Sequence, residues 1–114
     1  MDFSINIKDN NLVVALLEGA GLNSRASYER LEEAKSEGRM VKYYNMKHAV
    51  NEAIYANLDR IWHKNHYGLL KSYAGDDPVS KAELAVDKAK LSAAKAKWDH
   101  AYAVYKEAEA EWMK

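Results

Sequence analysis

The stretch VSKAELAVDKAKLSAAKAKWDHAYAVYKEAEAEWMK, Val79 to Lys114, holds neither glycine nor proline. It carries a large apolar residue at every seventh position: Leu84, Leu91, Trp98, Tyr105 and Trp112. Seven-residue spacing of bulky side chains marks one face of a helix, and alanine, the best helix former, fills much of the remainder. Asp77-Pro78 just ahead supplies a capping carboxylate and a proline at the first helical position, where no amide donor is needed. Ser80 to Glu83 offers an alternative capping box. The reading is one unbroken helix over 77–114, coiled-coil-like, and about 57 Å long at 1.5 Å per residue. A compact domain of this length has a radius of gyration of about 13 Å, so the helix needs a long partner for its stripe.

With Leu84 at position a, the d positions are Asp87, Ala94, Ala101 and Ala108. Large residues alternating with alanine allow close helix approach. The expected partner interface is therefore Leu84, Leu91, Ala94, Trp98, Ala101, Tyr105, Ala108 and Trp112. Lys88, Lys90, Lys95 and Lys97 lie in the first half, and Glu107, Glu109 and Glu111 in the last turns. That order opposes the helix dipole and suits an antiparallel neighbour. Two neighbours fit: a second copy of the chain, giving a homodimer, or the preceding helix folded back as a hairpin.

Upstream, Phe3, Ile5 and Ile7 alternate with Ser4 and Asn6, so residues 1–10 read as a short extended N-terminal segment, pairing with its own copy or lying on the helices. Asn11 is placed to cap a short helix, Leu12 to Glu18, which Gly19 and Gly21 terminate. A second helix covers roughly 25–37, with Gly38 as its terminator. A third runs from about Met40 to His66, on a stripe of Tyr43, Met46, Val50, Ile54, Leu58, Ile61 and Trp62. The fold class is all-α: a helical hairpin or bundle in a single domain, 1–114, with two short helices at one end.

The chain has 114 residues, no cysteine, and 17 basic against 17 acidic residues. That excludes thiol catalysis, disulfide scaffolds and cysteine-based zinc sites. No apolar run reaches the ~20 residues of a membrane span, and the start lacks a signal-peptide pattern, so a cytoplasmic protein away from membranes is expected. The middle is basic, with Arg39, Lys42, Lys47, Arg60, Lys64 and Lys71 against Glu52 and Asp59, and it is rich in tyrosine. Eight tyrosines and three tryptophans against one phenylalanine suit half-exposed, interface-forming surfaces.

Asp59, His63 and His66 share a helix face and are the candidate metal ligands, though as a partial set. No serine sits in a strained glycine-flanked elbow, and no glycine-rich phosphate loop occurs. The expectation is a non-catalytic protein without a cofactor.

Leu16-Leu17-Glu18-Gly19-Ala20-Gly21-Leu22-Asn23-Ser24-Arg25-Ala26-Ser27-Tyr28-Glu29-Arg30-Leu31 resembles the turn and recognition helix of helix-turn-helix DNA-binding domains. The resemblance implies that Ser24, Arg25, Ser27, Tyr28 and Arg30 face the groove or phosphates, with residues 38–44 as a wing strand. Two functions are thus expected in order. The first is a small interaction protein that binds and modulates a macromolecular partner, in the style of phage or mobile-element accessory proteins, including inhibitors. The alternative is a helix-turn-helix regulator dimerising through its C-terminal helix.

Overall fold

The computed structural model describes residues 2–114. Three helices follow one another: α1 (Asn10–Glu37), α2 (Val41–Tyr73) and α3 (Pro78–Trp112). The all-α fold class holds, with three helices rather than four. The break expected at Gly19–Gly21 does not form; α1 runs through both glycines. Its cap is Asp9, whose carboxylate accepts from the Asn11 backbone N–H at 2.9 Å, not Asn11 itself. The reason is tertiary. Val13, Ala20, Leu31 and Ala34 are buried on one side of α1, and an apolar face packed along its length outweighs about 1 kcal/mol per glycine. Gly21 also faces α2, where a Cβ would touch the Tyr55 ring at 3.6 Å.

α1 ends as the sequence predicts, at Gly38 in the left-handed region (φ 66°), with the Gly38 N–H donating to the Ala34 carbonyl. Met40 also has positive φ (54°), and α2 begins directly after it. The wing strand expected over 38–44 is therefore a three-residue link followed by helix. α2 extends past Gly68 to Tyr73, seven residues beyond the expected end at His66. Asp77 caps α3, accepting from the Ser80 N–H at 3.0 Å and the Ser80 hydroxyl at 2.8 Å, with Pro78 at the helix start.

α2 is the central element. α1 and α3 each pack on it and do not touch one another. The body is a rod, 59 × 23 × 23 Å, with a Cα radius of gyration of 17.2 Å. The long C-terminal helix is unbroken, and its stripe is covered by α2: Leu91, Ala94, Tyr105 and Ala108 are buried, and Leu84, Trp98 and Ala101 half-buried. Trp112 is the exception, 43% exposed, with its ring 5.2 Å from that of Tyr43. Of the two neighbours the sequence left open, the hairpin is the one that covers this seam.

Residues 2–9 have no regular secondary structure and lie along the hairpin. Phe3 is the plug. Its ring meets Trp98 (5.3 Å), Tyr102 (5.9 Å) and Tyr105 (5.4 Å) edge-on, the favoured aromatic geometry. With Ala49, Ala53, Tyr105 and Ala108 it forms the core cluster. Two asparagines of α2 hold the segment's backbone. Asn57, fully buried, donates to the Phe3 carbonyl at 2.7 Å, and its own oxygen accepts from Arg60 Nη2 at 2.7 Å. Asn65 donates to the Ile7 carbonyl at 2.8 Å and to Asn10 Oδ1 at 3.0 Å.

Candidate interaction face

The sequence's candidate residues on α1 meet α2 at a polar seam. Ser24 Oγ donates to Glu52 Oε1 at 2.8 Å. Ser27 Oγ lies 2.9 Å from His48 Nδ1 and donates to the Ser24 carbonyl at 2.9 Å. His48 Nε2 lies 3.4 Å from Glu52 Oε1. Tyr28 is half exposed, with its ring 5.7 Å from that of His48. Arg30 places its guanidinium 5.8 Å from the centre of the Tyr44 ring. Ser24 and Ser27 are thus tied to α2, whereas Arg25, Tyr28 and Arg30 remain exposed. The glycine turn on which the helix-turn-helix resemblance rests is not formed, since α1 is one helix from end to end.

Ser27, His48 and Glu52 line up in the order of a hydrolytic relay. The surroundings do not make Ser27 a nucleophile. The Ser24 carbonyl and His48 Nδ1 both lie 2.9 Å from its oxygen, and the backbone N–H groups around it are consumed within α1, so no donor pair awaits an oxyanion. The cluster acts as a polar clasp between two helices.

Two grooves open from this seam. One, of about 370 Å³, is lined by Gly21, Ser24, Arg25, Tyr28, His48, Glu52 and Tyr55, between α1 and α2. The other, of about 640 Å³, is lined by Glu52, Tyr55, Ala56, Asp59, Ala96, Lys97, His100 and Ala101, between α2 and α3. Glu52 and Tyr55 belong to both, so the grooves form one face across all three helices. Of the lining residues, the sequence singles out Ser24, Arg25 and Tyr28 as nucleic-acid contacts and Tyr55 only as part of the tyrosine-rich middle; it does not bring His48, Glu52 or His100 to them. Those residues converge only through helix pairing, which no local spacing encodes.

The candidate metal ligands do not close into a set. His63 Nε2 stands 3.6 Å from Asp59 Oδ1, but His66 stacks on Trp62, centroids 4.7 Å apart and planes 19° off parallel. No three histidine, aspartate or glutamate side chains among the described residues converge as metal ligands would. No helix among the described residues is long and apolar enough to cross a membrane.

Comparison with protein families, curated proteins and solved structures finds no match to this chain.

Proposed function

We propose that this chain is a non-catalytic interaction protein that binds and modulates a larger macromolecule through the face formed by the two joined grooves. The observation that carries the reading is the makeup of that face. Tyr28, Tyr55, His48 and His100 lie among Arg25, Lys97, Glu52 and Asp59 on a solvent-open surface crossing three helices. Tyrosine presents an apolar ring and a polar tip at low rotamer entropy, and such residues dominate the energetics of protein interfaces. A site for a small molecule encloses most of its ligand; this face is a shallow shelf and suits an extended partner. A rod 59 Å long modulates such a partner by covering its working surface, in the style of small phage or mobile-element accessory proteins, including inhibitors.

The test is affinity capture from cell lysate, followed by titration of the captured macromolecule against purified chain. Tyr28→Ala/Tyr55→Ala is expected to weaken binding by about 30-fold or more, the loss of a hot-spot pair, with circular dichroism unchanged. A partner held equally well by the double variant would remove this face from the account.

A further inference from the structure

A further opening, of about 320 Å³, lies between α2 and α3 beside residues 2–4 and shares no residue with the groove face. Phe3, Trp98, Tyr102 and Arg60 are among its lining. The Trp98 and Tyr102 rings have centroids 5.4 Å apart, and Tyr102 is 39% exposed. Arg60 is fixed from inside the protein. Its Nε and Nη2 donate to Asn57 Oδ1 at 3.2 and 2.7 Å, and Asn57 is fully buried and itself bound to the Phe3 carbonyl. A neutral amide thus orients the guanidinium while leaving its charge unneutralised and its other N–H donors unused. No carboxylate pairs with Arg60 among the described residues.

Two rows of positive charge run from this opening to the 74–77 turn. On α3, Lys81, Lys88, Lys95 and Tyr102 recur every seven residues, all exposed, along about 31 Å of helix. On α2, Lys64 stands one turn beyond Arg60 and Lys71 two turns further, both exposed. None of these five lysines is ion-paired among the described residues. Residues 60–97, the half of the hairpin nearest the turn, hold eight bases against four acids, a net +4 in a chain that is neutral overall. Two acids stand beside the opening. Asp2 turns its carboxylate onto the Ser4 N–H at 2.8 Å, and Asp99 lies one turn from Lys95 on α3.

We propose that this opening and its lysine rows bind single-stranded nucleic acid. A base lays its face on Tyr102 and Trp98, the phosphate beside it meets Arg60, and neighbouring phosphates follow the lysines toward the turn. Stacking on a side chain needs a base freed from its pair, so a single strand fits and a duplex does not. An acidic peptide brings the charge without the flat face. The site lies apart from residues 24–30, where the sequence points to a DNA contact, and it does not depend on the groove face.

Fluorescence anisotropy of a labelled oligothymidylate of about 20 nucleotides, titrated with the full chain, tests this. An oligouridylate of equal length, the oligothymidylate paired with oligoadenylate, and polyglutamate are the further probes. Both single strands are expected to bind more tightly than the duplex, and the tighter of the two assigns DNA or RNA as the source. Raising salt from about 50 to about 200 mM is expected to weaken binding by at least about tenfold, as counterions return. Lys88→Gln/Lys95→Gln lowers the salt slope by about 1.4, at about 0.7 for each phosphate contact on a single strand. Tyr102→Ala leaves the slope unchanged, weakens the single strands by about fivefold or more, and removes their advantage over the duplex. All three positions are exposed, so circular dichroism is expected to stay the same. Tyr28→Ala/Tyr55→Ala binds as the wild type does. Absence of binding at the lower salt overturns the proposal. So does a duplex or polyglutamate held as tightly as the single strands, a Tyr102→Ala variant that binds like the wild type, or a matching loss in Tyr28→Ala/Tyr55→Ala.

Discussion

Tyr105 shows how one side chain links packing to charge. Its ring is buried in the Phe3 cluster, and its hydroxyl donates to the Glu109 carboxylate one turn along α3. That bond, first, and burial, second, push the phenol up to about 12. The Glu109 carboxyl is held below its ordinary range, by the Tyr105 hydroxyl first and by Lys106 second. The pH dependence follows with a definite sign. An unfolded tyrosine loses its proton near pH 10, so the folded chain binds more protons between about pH 10 and 12 and loses stability there. The contribution is complete below about pH 10 and gone once pH passes the folded value. The Glu109 contribution runs the other way, present above the ordinary glutamate range and lost as pH falls through its lowered folded value. Urea unfolding from pH 8 to 12 should therefore show a steeper alkaline fall for the wild type than for Tyr105→Phe, which has no phenol to titrate. Parallel curves would mean that this hydrogen bond is not made in solution.

At the level of elements, the glycines separate what the chain's own order reveals from what it hides. Gly38 was legible as a helix end because its position follows the last apolar residue of the α1 stripe, and it adopts the left-handed conformation that residue type favours. The cap at Asp77-Pro78 and the continuity of α3 were legible for equally local reasons. Gly19 and Gly21 carry the same letter and read in sequence as a break, and Gly68 lies just past the end expected at His66, yet α1 and α2 pass through all three. A helix continues through a glycine when its flanks are held from outside, and that support comes from residues far away in sequence. The joined grooves were hidden for the same reason: His48, Glu52 and Tyr55 join Ser24 and Tyr28 only once α1 lies on α2. Gly68 is exposed and a Cβ there would meet nothing, so it weakens α2 without a packing reason. Gly68→Ala should raise stability by roughly 0.5–1 kcal/mol and the melting temperature by a few degrees. An unchanged or lower melting temperature would show that α2 near its C-terminus differs from the helix described.

Over the whole molecule the helices are not equally secured. The α2–α3 hairpin holds the core cluster of Phe3, Ala49, Ala53, Tyr105 and Ala108, with Met46, Val50, Ile54 and Trp98 packed around it. α1 contributes only Val13, Leu31 and two alanines to the buried interior and has no contact with α3. Its other ties are polar: the Ser24–Glu52 and Ser27–His48 bonds, and Asn10 with Asn65 and the Trp62 carbonyl. Opening free energy follows buried apolar contact, so native-state hydrogen exchange should find α1 less protected than the Ala49–Ile61 stretch of α2. Residues 2–9 modify that ordering, because they lead directly from the hairpin core into the first turn of α1. Phe3→Ala removes the plug, at about 3 kcal/mol for a buried phenylalanine. Its effect should reach beyond the core. With the segment no longer anchored through Phe3, the amides of the first α1 turns should lose protection by a larger factor than those near Gly38, which the short link to α2 still holds. Uniform loss along α1 would instead make α1 a single cooperative unit, docked on α2 with no help from the N-terminal segment.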